Sequence, residues 1–209
     1  MAEIPRGTMA ERKRRLVADE LRDAALMLLA VQGFDTVTVD EIVAAAGMSR
    51  RTFFRYYASK EDVVVRFLAD MGEMVVASLG DRPRAEPPSV ALREAIWAPL
   101  AEACDGEHSD HIERSRVVVR LILDTPALYA RWLERQTEVR AGLAAELARR
   151  HHLRLDSDPY PRMAAGMALL AFDVVLEQWQ PGDDERRLAE LTDQAFAVAA
   201  PALDTIESR

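Results

Sequence analysis

The sequence predicts an all-helical protein, and two observations support that fold class. Apolar residues recur at helical spacing along most of the 209-residue chain. Alternation of apolar and polar residues, the pattern of a half-buried strand, extends only over the three or four positions around residues 36–39. We therefore expect helices that are joined by short connections.

Four helices are expected in the first 80 residues. Gly33 ends the first, since glycine is favoured just after a helix. Thr38 begins the second, and Glu41 stands at the spacing that lets the two side chains satisfy each other's backbone amides. Gly47 ends that short helix, and Ser49 offers a side-chain oxygen to start the next. The expected helices cover residues 11–32, 38–46, 49–57 and 59–80.

A segment with three prolines, DRPRAEPPS at residues 81–89, indicates a domain boundary after the fourth helix. Further clusters of glycine, proline and aspartate divide the rest of the chain into helical segments. We expect these helices at about residues 90–103, 109–123, 126–150, 159–180 and 184–203.

Charge is distributed unevenly along the chain. The net charge is −8, but residues 1–60 carry ten Lys and Arg against eight Asp and Glu, and the remaining residues carry 17 against 27. This asymmetry favours a first segment that meets a polyanion. The apolar runs are too short for a membrane span and the start lacks the pattern of a signal peptide, so we expect no membrane partner and a cytoplasmic location.

The segment GMSRRTFFRYYASK at residues 47–60 concentrates aromatic and basic side chains. With the preceding helix it forms a helix-turn-helix pattern at residues 38–57, a unit whose second helix enters the major groove of DNA. Helix geometry places Phe53 and Tyr57 on one side, available for the core. Another side carries three arginines and Phe54, which suits a partner with acceptors, methyl groups and phosphates. Double-stranded DNA provides all three.

We expect this unit to contact DNA through eight residues. Arginine recognises guanine edges or phosphates, an aromatic ring meets thymine methyl groups, and hydroxyl or ammonium groups hold phosphates. The expected contacts are bases or phosphates for Arg50, Arg51 and Arg55, base methyl groups for Phe54, phosphates for Tyr56 and Lys60, and further hydroxyl contacts for Thr38 and Thr52. The basic run RKRR at residues 12–15 is either an arm toward a neighbouring groove or a solvated terminus.

The run that begins GFDTVTVDEIV at Gly33 and continues to residue 65 resembles the DNA-binding segment of the tetracycline-repressor (TetR) family of bacterial transcription regulators. The resemblance covers about residues 14–71. It implies an N-terminal three-helix DNA-binding domain at residues 1–60 and a larger helical domain at residues 61–209 that binds a small effector and dimerises. The matching positions imply DNA contacts for Thr38, Arg50, Thr52, Phe54, Tyr56 and Lys60, and structural roles for Phe53 and Tyr57. The identity of the effector does not transfer, because the second domain of the family diverges widely.

The last expected helix carries apolar residues at alternating steps of three and four, the pattern of a helix packed along another helix. The helix before it is rich in alanine, which permits close approach. We expect a homodimer through a four-helix bundle with two helices from each subunit; packing within one subunit is the alternative. The expected interface residues are Ala165, Leu188, Leu191, Ala195, Val198 and Ala202.

An apolar cavity is expected between the fourth helix and the later ones. Methionine and aromatic side chains on these helices would form an adaptable apolar wall. The expected lining residues are Met71, Met74, Trp97, Leu100, Cys104, Val118, Ile122, Trp132, Met163, Met167 and Phe172. We therefore predict a repressor that a lipophilic small molecule releases from a palindromic operator; an activator or a ligand-independent DNA binder is the alternative.

A metal-dependent protein or helical enzyme built around Cys104, His108 and His111 is an alternative from another class. Their spacing would place three metal ligands on one helical face, but Gly106 interrupts that helix. The sequence offers no context for a nucleophilic triad and no glycine-rich phosphate loop after a strand. We therefore expect no catalytic residue, no metal and no cofactor.

Overall fold

The computed structural model describes residues 8–104, 118–179, 183 and 185–208, which are helical apart from short connections. In these ranges no strand occurs, and positions 36–39 are a connection followed by a helix, so the predicted all-helical fold class is confirmed. The helices are α1 (Met9–Gln32), α2 (Val39–Ala45), α3 (Arg50–Tyr56), α4 (Lys60–Asp81), α5 (Pro88–Cys104), α6 (118–124), α7 (Pro126–Arg150), α8 (Tyr160–Gln178) and α9 (Glu185–Leu203), followed by a 3₁₀ turn at Asp204–Ser208.

Eight of the nine expected helices begin and end within two residues of the predicted positions. The helix expected at residues 109–123 falls partly outside the described residues, which include its end at residue 124. Among the helices that the structure describes, none combines the length and the apolar character needed to cross a membrane.

A first core cluster joins α1, α2 and α3 to the start of α4. Leu21, Ile42, Phe53 and Val64, one from each helix, are fully buried in it. Val118 and other residues of α6 and α7 extend the same cluster toward the second half of the chain. The helix-turn-helix therefore packs directly against the helix that continues into the larger domain.

α4 and α7 approach each other closely through two glycines. A Cβ on Gly72 would lie 2.5 Å from a methyl carbon of Val139, and a Cβ on Gly142 would lie 2.8 Å from a methyl carbon of Val76. Each glycine thus accommodates a valine of the opposite helix. Large side chains at either glycine would force the two helices apart.

The end of α4 is held by Arg150 of α7. This buried guanidinium donates to the backbone carbonyl oxygens of Leu79 at 3.1 Å, Arg82 at 2.8 Å and Pro83 at 2.8 Å. The carbonyl groups at the end of a helix lack partners within it. Arg150 therefore supplies these donors and fixes the end of α4 to α7.

A second core cluster lies among α4, α5, α7, α8 and α9, and a third joins α8 to α9. Together they correct part of the expected dimer interface. Ala165 and Leu188 are fully buried within the single chain, and Leu191 is nearly so. A side chain that its own chain covers cannot contact a second subunit. The alternative of packing within one subunit therefore holds for these three residues, because this stripe of α9 faces α5 and α8.

Candidate nucleic-acid interface and effector cavity

Thr38 and Glu41 cap α2 reciprocally, as the sequence predicts. The backbone N–H of Glu41 donates to the Thr38 hydroxyl oxygen at 3.3 Å, and the backbone N–H of Thr38 donates to the Glu41 carboxylate at 2.8 Å. The second bond lowers the pKa of Glu41, and the Thr38 hydroxyl, which also donates to this carboxylate, lowers it further. The start of the helix-turn-helix is thus held by its own side chains.

Gly47 ends α2 in a left-handed conformation, with φ at +62°. Its N–H donates to the carbonyl of Ala44, and the N–H of Met48 donates to the carbonyl of Val43 at 2.8 Å. These two bonds form a Schellman motif, in which glycine is favoured because it lacks a Cβ. The turn sets the direction in which α3 leaves α2.

The inner face of α3 packs into the first core cluster. The Ser49 hydroxyl caps the helix by accepting from the Thr52 N–H at 3.1 Å. Phe53 is fully buried and Tyr57 nearly so, and the Tyr57 hydroxyl donates to the Ala18 carbonyl in α1 at 3.0 Å. These contacts fix the rotation of α3, and hence the side chains that it turns outward.

The outer face of α3 carries Arg50, Arg51, Phe54 and Arg55, all exposed. Phe54 leaves 49% of its surface accessible although its neighbour Phe53 is fully buried. The two rings meet edge to face with centroids 5.4 Å apart. This surface combines guanidinium donors with an apolar ring, the groups that contacts with phosphates and base edges require.

Arg55 and the three expected contact residues that carry hydroxyl groups are engaged with other protein groups. Arg55 donates to the Tyr56 hydroxyl at 3.1 Å, and its guanidinium carbon lies 4.9 Å from the centre of that ring. The Thr52 hydroxyl is 3.0 Å from the hydroxyl of the N-cap serine. The Thr38 hydroxyl donates to Glu41. If Thr38 is to donate to a phosphate, its hydroxyl hydrogen must therefore turn away from the Glu41 carboxylate.

Lys60 differs from its expected role as a phosphate clamp. Its ammonium donates to the carbonyl oxygens of Phe34 and Val37, the latter at 2.9 Å, and lies 4.7 Å from the centre of the Phe34 ring. Two of its three N–H groups are thus directed into the protein. Lys60 therefore joins the start of α4 to the connection between α1 and α2, whose carbonyl groups lie next to it.

A cavity of about 100 Å³ lies among α4, α5, α6, α7 and α8, and its wall is almost entirely apolar. Five of the expected pocket residues line it: Met71, Val118, Ile122, Trp132 and Phe172. The rings of Trp132 and Phe172 have centroids 6.5 Å apart. Lining residues that the sequence did not single out include Phe67, Leu68, Gly72, Val75, Val139, Leu169 and Leu176.

Four expected pocket residues lie elsewhere. Met74 and Met163 are exposed, and Trp97 packs against a separate cluster that contains Trp179. Met167 lines a crevice between α8 and α9. Apolar character alone does not tell which side of each helix faces the cavity, and this is why these residues were misplaced. The side chains of two others, Leu100 and Cys104, lie outside the described residues.

Polar side chains at the cavity were not predicted. Gln136 lines it and donates through Nε2 to the Asp173 carboxylate at 2.7 Å. Burial, reinforced by the nearby Glu177, raises the pKa of Asp173 to about 6. Arg135 is a further polar residue of the wall. Because Gln136 and Asp173 stand 37 positions apart, only the packing of α7 on α8 brings them together.

The outer surface of α8 and α9 carries exposed apolar side chains. Leu170 and Val198 leave 62% and 84% of their surface accessible, and Met163 and Val174 are also exposed. Of the expected interface residues, Val198 and Ala202 are exposed and Ala195 is half-buried. We refer to Met163, Leu170, Val174 and Val198 as the α8–α9 apolar face.

The alternative of a metal site at Cys104, His108 and His111 falls outside the residues whose side chains the structure describes. Within the described part of the chain, no group of three His, Cys, Asp or Glu side chains is placed to hold a metal ion.

Two family models match the chain. Residues 21–67 match the model of bacterial regulatory proteins of the tetR family, and residues 86–204 match the MftR C-terminal domain. The transcriptional regulator TcmR of Streptomyces glaucescens is 34% identical over 82% of this chain and 76% of its own length. The regulator MftR of Mycobacterium tuberculosis is 32% identical over 97% of this chain and 99% of its own length.

Solved structures share the fold. The fatty acid degradation regulator FadR from Bacillus halodurans superposes with a TM-score of 0.63 at 20% identity and covers 97% of each chain. FadR from Bacillus subtilis, in complex with stearoyl-CoA, gives a TM-score of 0.63 at 17% identity over 88% of this chain and 98% of its own. On the family models and the two close relatives, this chain belongs to the TetR family of DNA-binding transcriptional regulators and is not an enzyme.

Proposed function

We propose that this regulator is a homodimeric repressor that binds a palindromic operator and is released from it by an apolar small molecule. Residues 1–60 would read DNA, and residues 61–209 would bind the effector and dimerise. The observation that carries the proposal is the outer face of α3, where Phe54 and three arginines are exposed on a helix whose other face is buried. A surface of this kind, held by a capped helix-turn-helix, fits the major groove.

Seven of the eight expected residues remain candidates for DNA contacts. Arg50, Arg51 and Arg55 are exposed and would bind bases or phosphates, and Phe54 would meet base methyl groups. Hydroxyl groups at the surface of α2 and α3 would hold phosphates through Thr38, Thr52 and Tyr56. Lys60 is left out of this proposal because its ammonium is bound to carbonyl oxygens of the protein.

The α8–α9 apolar face is the candidate dimer interface. Exposed apolar patches on a folded chain commonly mark a surface that a partner covers, and Val198, Met163 and Leu170 each leave more than half of their surface accessible here. Two copies joined here would form a four-helix bundle. A two-fold axis would place the two α3 helices about 34 Å apart, one turn of DNA, when the dimer is bound to a palindrome.

The apolar cavity is the candidate effector site. Its wall favours a ligand with a large apolar part. Two proteins of the same fold were crystallised with molecules that have such a part, FadR with stearoyl-CoA and the multidrug binding protein EbrR with malachite green. The cavity of about 100 Å³ is small for either molecule, so binding would have to widen it.

α4 is the candidate connection between the cavity and DNA. Its residues Phe67, Met71 and Val75 line the cavity, whereas Lys60 at its start is bonded to the connection before α2. Arg150 fixes the other end of α4 to α7. A ligand that pushes α4 away from the cavity would therefore move its first half and the helix-turn-helix. Nearly complete release requires about 5.5 kcal/mol of difference in ligand affinity between the two states.

The proposal is tested by selecting bound duplexes from a random DNA pool with the purified protein. We expect a palindromic consensus with half-sites centred one helical turn apart. Selection of no consensus would contradict sequence-specific binding, and a consensus without two-fold symmetry would contradict the dimer. Sequencing the bound pool gives the result directly.

Release is tested on the selected operator by fluorescence anisotropy with stearoyl-CoA and malachite green as probes. We expect at least one apolar probe to weaken operator binding. Val119→Phe, which reduces the free volume of the cavity, should weaken the response, whereas Val90→Phe on the surface of α5 should leave it unchanged. An operator affinity that no apolar ligand alters would favour a ligand-independent binder, and a response that is the same in both variants would place the effector elsewhere.

A further inference from the structure

Arg50 at the start of α3 is paired with Asp40 in the first turn of α2. Its Nη1 atom donates to both carboxylate oxygens of Asp40, at 2.9 and 2.8 Å. The side chains are 59% and 64% exposed, and ion pairs this exposed contribute little to stability. Of the three arginines in α3, Arg50 alone takes part in one of the described ion pairs. We therefore look for a role of this ion pair other than stabilising the fold.

The ion pair leaves one edge of the guanidinium available. A guanidinium carries five N–H groups, and the contact with Asp40 uses Nη1 alone. The edge formed by Nε and Nη2 keeps two parallel N–H groups. In the major groove, the O6 and N7 atoms of a guanine accept hydrogen bonds from such a pair of donors.

Phe54 restricts the same guanidinium from a second side. The Arg50 guanidinium carbon lies 5.8 Å from the centre of the Phe54 ring, a contact of the cation–π kind. The Phe54 ring in turn stands edge-on to the buried ring of Phe53, at an interplanar angle of 87°. Arg50 is thus held between a carboxylate of α2 and a ring that rests on the core.

We propose that Asp40 is a positioning residue for sequence recognition, and that it holds Arg50 so that the free Nε–Nη2 edge meets a guanine. The inference rests on the proposed function, in which the outer face of α3 reads DNA. An arginine that is already held loses less conformational freedom when it binds a base than a mobile one does. The Asp40 carboxylate also repels phosphates, which lowers the affinity for every DNA sequence alike. Asp40 therefore favours discrimination between sequences over total affinity.

The test compares Asp40→Ala with Asp35→Ala in the full-length protein. Asp35 is an exposed acid in the connection before α2, and its replacement changes the net charge by the same amount. Affinity is measured for the operator selected by the wild type, for operators with each single base pair replaced, and for unrelated duplex DNA. We expect both variants to bind unrelated DNA more tightly than the wild type. We expect Asp40→Ala alone to lose about tenfold of its discrimination at one G·C pair in each half-site, the order of one bidentate arginine contact.

A double-mutant cycle with Arg50→Ala separates positioning from a general effect of charge. In the Arg50→Ala background, replacing Asp40 should leave discrimination at that base pair unchanged. The inference alone is overturned if the wild type selects a consensus and Asp40→Ala discriminates as well as the wild type at every position. It is also overturned if the loss is the same with and without Arg50. A wild type that selects no consensus would overturn the proposed function, and this inference with it.

Discussion

The helix pairs α2–α3 and α8–α9 are built in opposite ways. α2 and α3 have seven residues each and begin with side-chain caps from Thr38 and Ser49. α8 and α9 have nineteen residues each, and α8 begins without a side-chain cap. Short helices form few backbone hydrogen bonds, so their ends matter, whereas long helices are stabilised mainly by the face that they bury.

The outward surfaces of the two pairs differ as well. α3 presents arginines and one aromatic ring, whereas α8 and α9 present Leu170 and Val198. The first surface is compatible with water and suited to a polyanion, and the second is stabilised by covering it with another apolar surface. The difference supports the proposal that one helix pair meets DNA and the other meets a second copy of the chain.

The largest effect is expected from charges on the α8–α9 apolar face. Leu170→Glu combined with Val198→Glu should convert the dimer to a monomer, because burying two carboxylates on each side is unfavourable. Operator affinity should fall by about 100-fold or more, since two linked half-site contacts exceed one by that order. Sedimentation velocity and anisotropy measure the two effects.

Val90→Glu, on the exposed surface of α5, is the control for these charges. It should leave the dimer and its operator affinity intact. A double variant that remains dimeric would show that the interface lies on another surface. The role given to the α8–α9 apolar face would then be wrong.

Next in size is the difference between two adjacent rings of α3. Phe53→Ala should lower the free energy of unfolding by about 3 to 5 kcal/mol, because it removes a fully buried ring. Phe54→Ala should change it by less than about 1 kcal/mol but weaken operator binding. Urea denaturation followed by circular dichroism gives both values. Equal destabilisation by the two substitutions would mean that the faces of α3 are assigned wrongly.

A smaller effect should separate helices that depend on caps from those that do not. Thr38→Ala should cost about 1 kcal/mol of unfolding free energy, because the Thr38 oxygen accepts from a backbone N–H at the start of α2. Thr125 occupies the same position before α7 but forms no such bond. Thr125→Ala should therefore stay within about 0.5 kcal/mol of the wild type. Similar losses for both threonines would contradict the role given to the α2 cap.

A pH-dependent effect is expected for Asp173 beside the cavity. Its pKa is raised from the ordinary value of 3.8 to about 6, so the folded chain binds this proton more tightly than the unfolded chain. The stabilisation by the protonated form is complete below about pH 4 and is lost as the pH rises through about 6. The difference in unfolding free energy between wild type and Asp173→Asn should therefore shift against the wild type over this interval. A difference that stays constant from pH 4 to 7 would contradict the raised pKa.

Local signals explain why the helix-turn-helix was predicted well. The helix ends are set by residues that bond to groups within four positions of themselves, namely Thr38, Glu41, Gly47 and Ser49. Their spacing in the sequence is therefore sufficient to predict where α2 and α3 begin and where α2 ends. The sides of α3 follow from helix geometry once its start is known. The order of residues in this segment is therefore enough to predict both its helices and the exposed face of α3.

The larger domain was predicted less completely because its contacts are distant in sequence. Leu188, Leu191 and Val198 share one apolar pattern, yet the first two are buried and the third is exposed. The rotation of α9 against α5 and α8 decides this, and no residue near them signals it. The carbonyl partners of Lys60 likewise lie 26 and 23 positions earlier, so the inward direction of its ammonium could not be seen in the sequence.

Because α4 is one uninterrupted helix, the number of residues between its start and its contact with α7 determines how the helix-turn-helix is oriented relative to the larger domain. Twelve positions separate Lys60 from Gly72, where the helix meets α7, and each position turns the helix by about 100° and advances it by about 1.5 Å. In the proposed dimer, removing one residue from this stretch would rotate the α3 helix of each subunit around the axis of its α4. Two half-sites that match the wild-type dimer would then fall out of phase with it, although every side chain that touches DNA would still be present.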